Sequence, residues 1–452
     1  MLRSPASVDG TSHLAWLDSR AGRVRADPWK CDGDPENGRP LLLWCLLRDQ
    51  FAHIRPVEKS LDAGALFVYD AQWDPERMLL AAPDVVLCVN DTPHNVARCL
   101  DAARAAKIPS LVVQDGSLEW RCQYENPLLG FGGGPPQHQP VLADKIACIG
   151  PSSVRHIASW GNAGKVELTG MPRLDHLPAQ NSAPPAKPGR RLLVMTAKKP
   201  AFTREQMDVT MRALGDLKAA LAAHPDLTVS WRLTKDLDRR LGVRNQLQSA
   251  TSEDLADALL QADAVITTPS TAMLEAMQAG RPVACLDYHN TPRFVATAWT
   301  ISAPHQIGPV IRELLRPPEA KMAFQRCCLD DALRHDGFAA TRVAGLIQKM
   351  AAIGRRARHS GEDLRLPACM VESGNLPAEP VYSSLRNLYP EQEVFRLDDT
   401  EALQVRLARA QKENETLHSR LASRHAGFWM ELLARKAAER WRSFPRSLLS
   451  RA

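Results

Sequence analysis

Residues 254–286 read DLADALLQADAVITTPSTAMLEAMQAGRPVACL, and the groups able to hold an anion collect at the centre. Ser270 and Thr271 stand between an apolar run, Ala264–Thr267, and a helix-forming stretch that carries Glu275. A strand passing through such a turn into a helix leaves unpaired N–H groups at the helix start. The Ser270 hydroxyl can cap one of them, and the same end attracts anions. Glu275, one turn in, can accept hydrogen bonds from a vicinal diol such as a ribose. Ordinary capping of an ordinary α/β unit accounts for the same residues. Lys198 and Lys199 follow the apolar run Arg191–Thr196, where a cation suits the charge of a departing diphosphate; two solvated lysines are the alternative.

Transfer to a hydroxyl also needs a base. Asp115, in Val113-Gln114-Asp115-Gly116-Ser117, follows the apolar run Ser110–Val113, and His53 lies between the run Leu41–Leu47 and a helical stretch. Either can serve as the base, or as a turn residue and a helix-start residue respectively. His94, beside Asp91 and Thr92, fits a capping region. The Gly130–Pro136 loop lacks the Lys-Ser/Thr pair of a phosphate cradle and reads as a flexible loop or a mobile acceptor loop. The ten cysteines have no C-x-x-C spacing. Those within apolar runs read as core residues of a reducing compartment.

Positioning these groups falls to short apolar runs that alternate with amphipathic stretches. From Pro40 the runs Leu41–Leu47, Ala65–Tyr69, Asp84–Val89, Ser110–Val113, Lys145–Ile149 and Lys165–Leu168 read as buried strands. The pattern restarts with Arg191–Thr196, Thr228–Leu233, Ala264–Thr267 and Val283–Leu286. Alternation of this kind predicts parallel sheets covered on both faces. The expected organisation is a flexible extension (1–39), a first Rossmann-like domain (40–177), a proline-rich hinge (178–190) and a second Rossmann-like domain (191–352). An irregular linker (353–395) and a helical tail (396–452) follow. A ligand cleft is expected between the carboxyl ends of the two sheets.

The 254–286 stretch resembles the donor-nucleotide half of the two-Rossmann, or GT-B, glycosyltransferases. There a strand ends in a Ser/Thr-rich turn before a Glu-bearing helix, and a Gly-Lys/Arg-Pro strand follows, matched here by Ser270, Thr271, Glu275, Gly280, Arg281 and Pro282. KIACIGPSSVRHIASWGNAGKVELTGMPRLDHL, from Lys145, resembles the end of the first domain of that superfamily, with its T-G-x-P-R-x-D. The resemblance runs from about Pro40 to Ala352. It is nearest the transferases of bacterial surface polysaccharide and lipopolysaccharide, including CDP-glycerol phosphotransferase and Kdo-transferase relatives. It implies a nucleotide-sugar donor, a glycan or lipid-linked acceptor, a cytoplasmic location and no separate cofactor. It also implies that Gly170, Pro172 and Arg173 line the cleft. Some relatives keep a catalytic histidine where His53 stands, and many have His-Gly where this chain has Asp115-Gly116. Asp236-Leu237-Asp238 spells the metal-binding D-x-D of the other large glycosyltransferase fold, but sits in a charged run that reads as a solvated face, so no metal is called for. A nucleotide-sugar epimerase or polyol-phosphate transferase on the same fold, or a membrane-attached scaffold without catalysis, are the alternatives.

Composition, 44% hydrophobic and 24% charged over 452 residues, excludes fibrous and disordered classes. The net charge of +6 is too small, if spread evenly, for nucleic-acid binding. It is not spread evenly: Arg420–Ala452 holds eight basic and two acidic residues, so the whole excess lies there. Trp429, Trp441 and Phe444 beside these cations suit an anionic membrane surface, which would make the protein peripheral on the inner face of the membrane; a helix packed on its own protein is the alternative. Leu403, Leu407, Ala410, Asn414, Leu417 and Leu421 form an a/d seam that can pair two chains or fold back. No apolar run reaches the ~18–20 residues of a membrane span, and residues 1–39 lack the apolar core of a secretory signal.

Overall fold

The computed structural model describes residues 41–46, 53–61, 65–70, 72–126, 136–177, 190–234, 236–244 and 252–371. The expected 1–39 extension, nearly all of the hinge, most of the Gly130–Pro136 loop, the 403–421 seam and the basic tail lie outside the described residues.

Each apolar run becomes a strand of three to five residues: β1 (Leu41–Cys45), β2 (Ala65–Tyr69), β3 (Val85–Cys88), β4 (Ser110–Val113), β5 (Lys145–Cys148) and β6 (Val166–Leu168). They form one parallel sheet in the order β2-β1-β3-β4-β5-β6. The second sheet is also parallel, in the order β11-β10-β9-β7-β8, from β7 (Arg191–Met195), β8 (Thr228–Arg232), β9 (Ala264–Thr267), β10 (Val283–Leu286) and β11 (Trp299–Ile301). Both sheets wind alike: the chain steps outward once, returns past its first strand and continues on the other side. The point of reversal lies between β1 and β3 in one sheet and between β7 and β9 in the other, and ligands of open α/β sheets bind at such points. This is the GT-B arrangement.

Helices cover both faces. In the first half these are α1 (Arg55–Ser60), α2 (Pro75–Ala81), α3 (His94–Ala105) and α4 (Pro151–Ile157). In the second they are α5 (Arg204–Ala222), α6 (Leu237–Leu241), α7 (Ser252–Gln261), α8 (Ala272–Gln278), α9 (Pro304–Leu315) and α10 (Glu319–Ala332). The final helix, α11 (Ala339–Ser360), follows the second half in sequence but packs Val343, Ile347 and Met350 against Leu43, Val85 and Leu87 of the first sheet. It runs eight residues into the segment 353–395 expected to be irregular. The physical reason is specific. Gly354 gives a close approach, since a Cβ there would lie 2.5 Å from Pro109 Cδ. Arg355 and Arg358, which interrupt the apolar stripe, bond a buried partner: Asp84 takes Arg355 Nε and Nη2 at 2.9 and 2.8 Å and Arg358 Nη2 at 3.2 Å. Beyond the helix, Met370 and Val371 donate their N–H groups to Glu167, itself paired with buried Lys145 at 2.7 Å. The chain is thereby strapped across the first sheet.

The described residues lie in one compact unit. Ile149, Met171, Leu174 and Leu177 of the first half share an apolar core with Met273, Met277 and Leu329 of the second. Phe294, after β10, packs between His156 (4.8 Å between centroids) and Trp160 (6.0 Å) of the first half. Burial, with the neighbouring Arg155 charge, pushes the His156 imidazole down to about 4. No described helix is long and apolar enough to cross a membrane.

Candidate functional site

The two candidate bases sit on loops at the carboxyl ends of strands. His53 follows β1 and Asp115 follows β4, with β3 between them in the sheet. The intervening strand lets the two loops converge, and His53 Nε2 meets Asp115 Oδ1 at 2.6 Å. Nε2 is thus committed to the carboxylate, and His53 Nδ1 is buried without a hydrogen-bond partner among the described residues. Burial alone would raise the Asp115 carboxyl. The His53 bond, with the charges of His53, Arg173 and Lys198, outweighs it and holds the group below the usual carboxylate range. Asp115 is therefore a firm anion, able to orient an imidazole and stabilise its protonated form.

The loop carrying Asp115 touches the second half. Ser117 donates its N–H to Thr271 Oγ1 at 3.1 Å, and a Cβ on Gly116 would collide with that same hydroxyl. A side chain after Asp115 would have to displace this hydroxyl, so the glycine lets the two halves approach as they do. The expected cap differs from the structure. Helix α8 is entered through Thr271 with no side-chain cap, and the Ser270 hydroxyl lies 3.4 Å from that of Thr267. The turn is held instead by Thr268, whose Oγ1 accepts the Ala197 N–H at 2.8 Å and so ties the loop after β9 to the loop bearing Lys198 and Lys199. Both lysines are exposed there.

Glu275 is buried on α8 and takes Arg173 Nη1 on Oε1 at 2.6 Å. Arg173 stands on a 3₁₀ turn, Pro172–Leu174, directly after β6. Of the three residues expected to line the cleft here, Arg173 alone reaches a predicted partner. Pro172 is buried at the start of the turn. Gly170 has a φ of +90° and faces the returning chain: a Cβ would lie 2.6 Å from the Arg334 carbonyl and 2.9 Å from Ala339 Cβ. Asp236 pairs with Arg239, and no metal-sized cluster of His, Cys, Asp or Glu occurs among the described residues. Asp91 accepts the Leu142 N–H at 2.6 Å and so braces the loop near His94, where α3 begins.

A second polar group was missed from sequence. Arg121 is buried, donating from Nε to Glu119 at 2.7 Å and from Nη1 across to the Pro200 carbonyl at 3.1 Å. Opposite it, after β10, lie Asp287, His289 and Arg293. Burial pushes the Glu119 carboxyl up, and Asp287 adds to this; burial and the Arg121 charge push the His289 imidazole down. The readable signal was LDYHNTPRF, polar residues directly after an apolar strand. A narrow crevice lined by Ser117, Glu119, Ser270 and Arg293 joins this group to the Thr271 contact. A larger cavity of about 460 Å³ opens far from these groups, near the amino end of β5. Its ammonium groups are engaged: Lys165 donates to the Val141 carbonyl at 2.6 Å and Lys145 to Glu167.

Residues 176–289 match the family described as "Putative glycosyltransferase (DUF6716)". Among solved structures, the wall teichoic acid polymerase TagF aligns over 76% of this chain and 96% of its own, at 11% identity and a TM-score of 0.49. UDP-GlcNAc 2-epimerase from Neisseria meningitidis, bound to UDP-GlcNAc, aligns over 69% of this chain and 99% of its own, at 14% identity and a TM-score of 0.46. The glycotransferase of kitacinnamycin aligns over 70% and 100%, at 13% identity and a TM-score of 0.43. No curated protein matches the chain.

Proposed function

We propose that this chain is a glycosyltransferase that moves a sugar from a nucleotide-activated donor to a hydroxyl of a surface polysaccharide or lipid-linked acceptor. The observation that carries the reading is the 2.6 Å contact between His53 and Asp115, made on a loop that bonds Thr271 of the opposite half. A candidate base and a candidate donor seat thus meet across one cleft. The match over 176–289 to the family described as "Putative glycosyltransferase (DUF6716)" spans Ser270, Thr271 and Glu275 and supports the reading.

In the proposed step the acceptor oxygen bonds to the anomeric carbon and its proton passes to His53. The bond from that carbon to the donor phosphate breaks, and its electron pair leaves with the nucleoside diphosphate. Asp115 orients the imidazole and stabilises its charge, Glu275 receives the ribose hydroxyls, and Lys198 and Arg173 offset the charge on the leaving group. The His53–Asp115 pair favours this over a scaffold without catalysis, whose main support was the aspartate at position 115. Product analysis with donor alone separates transfer from epimerisation, because an epimerase converts the sugar without an acceptor.

Calorimetric titration with UDP, GDP, CDP and CMP tests the donor seat. One of them is expected to bind, with Glu275→Ala weakening it about tenfold, the loss of one or two hydrogen bonds to a charged acceptor. If none binds the wild type, the reading fails. The basic aromatic tail, by the same proposal, brings the enzyme to the anionic inner face of the membrane. In liposome co-sedimentation, a chain ending at Leu397 should lose binding to anionic vesicles that the full chain retains; equal binding removes that role.

A further inference from the structure

Arg173 occupies the carboxylate that the donor reading assigns to the ribose. The chain on either side of it is held from three directions. The Leu174 and Leu177 carbonyls accept from Gln278 Nε2 at 3.3 and 3.4 Å. The Asp175 carboxylate accepts the Ala339 and Ala340 N–H groups at 3.1 and 2.7 Å, and Gly170 packs beneath the Arg334 carbonyl. The side chain is less fully committed. Nη1 bonds Glu275, whereas Nε is buried and has no hydrogen-bond partner among the described residues. A buried N–H left unpaired is costly, and a guanidinium satisfies Nε and Nη together only on an acceptor with two suitably spaced oxygens. A phosphate has that geometry.

We propose that Arg173 is an exchange residue. Without ligand it neutralises Glu275; on donor binding the ribose hydroxyls take Glu275 and the guanidinium turns its Nε–Nη edge to the donor diphosphate. This rests on the donor reading of Ser270–Glu275 and adds a discrimination to it. A nucleoside without phosphates must displace Arg173 and offers nothing in return. A nucleoside diphosphate supplies the replacement partner. Selectivity for the diphosphate over its nucleoside is therefore built into one side chain.

The two ligands respond in opposite directions when that side chain is removed. In titrations of the full-length protein, Arg173→Met should weaken the bound member of the UDP, GDP and CDP set by about 10–100-fold, the value of a charge-assisted pair of hydrogen bonds. The matching nucleoside, measured by displacement, should bind several-fold tighter. Arg173→Lys keeps the charge without the fork: the diphosphate should weaken and the nucleoside stay near wild type. Equal weakening of both ligands in either variant, or no change in their ratio, overturns the exchange while leaving the donor seat intact. Failure of every nucleoside diphosphate to bind the wild type overturns the donor reading and the exchange together. Should Arg173→Met fail to fold, the Lys variant decides alone.

Discussion

Replacing His53 with alanine is expected to lower the transfer rate by about 10²–10⁴-fold, the range of a positioned general base, while nucleotide affinity stays within twofold of wild type. The argument is geometric first. His53 Nε2 is spent on Asp115 at 2.6 Å, so the ring's remaining lone pair belongs to Nδ1. Asp115 itself is a poor proton acceptor, because its neighbours hold its carboxyl below the usual range. Asp115→Asn should therefore reduce the rate less than His53→Ala, since it leaves a base in place but without its orienting charge. Steady-state transfer with the donor whose nucleotide binds in titration checks both. If His53→Ala stays within threefold of wild type and Asp115→Asn does not, the roles are reversed. The pair also has a signature in stability. A carboxyl whose folded value is depressed stabilises the fold above the ordinary carboxylate range, and that contribution is lost as pH falls through the folded value. Asp115→Asn should flatten this part of the acid limb in denaturation measured against pH.

Asp84→Ala should destabilise the fold by about 3–5 kcal/mol, the cost of leaving buried charges without their partner. Asp84 is fully buried and receives two arginines of α11 as well as the Leu42 N–H at 3.0 Å. Removing it strands Arg355 and Arg358 at the edge of the apolar contact between α11 and the first sheet. Urea denaturation at neutral pH measures the loss. Adding Arg355→Met should return part of it, because the two residues share one network and their effects do not add. A loss below 1 kcal/mol for Asp84→Ala would mean that packing alone holds α11 in place.

The alternation of apolar runs made both sheets readable, because strands of parallel sheets are buried on two faces and stand out as short blocks. Strand β11 was not readable: its three residues, Trp299–Ile301, carry a threonine at the centre and do not stand out from the largely apolar FVATA before them. The continuation of α11 was hidden for another reason. Arg355 and Arg358 break the apolar stripe in sequence and are explained only by Asp84, some 270 positions earlier. The site was legible residue by residue but not as pairs. His53 and Asp115 were separate candidates for one role until the strand order brought their loops together. Arg173 and Glu275 belong to different halves, and no spacing in the chain announces their contact. Gly116 gave no signal beyond being a glycine in a turn; its close neighbour is the hydroxyl of Thr271, the residue that leads into the facing helix.

The return of the last helix has a consequence for biosynthesis. The first sheet leaves the ribosome early, yet the face built from Leu43, Val85 and Leu87, which Ile54, Val57 and Leu61 cover only in part, lacks the rest of its cover until residues 339–371 are made. At about 5–20 residues per second, roughly 10–40 s of further synthesis separate the end of the first sheet from the helix that closes it. During that interval the second half, contiguous from β7 to α10, is the portion able to complete its own core. The order of maturation is thus the reverse of the order of synthesis: the half translated first is finished last, with its exposed apolar face awaiting the end of the chain.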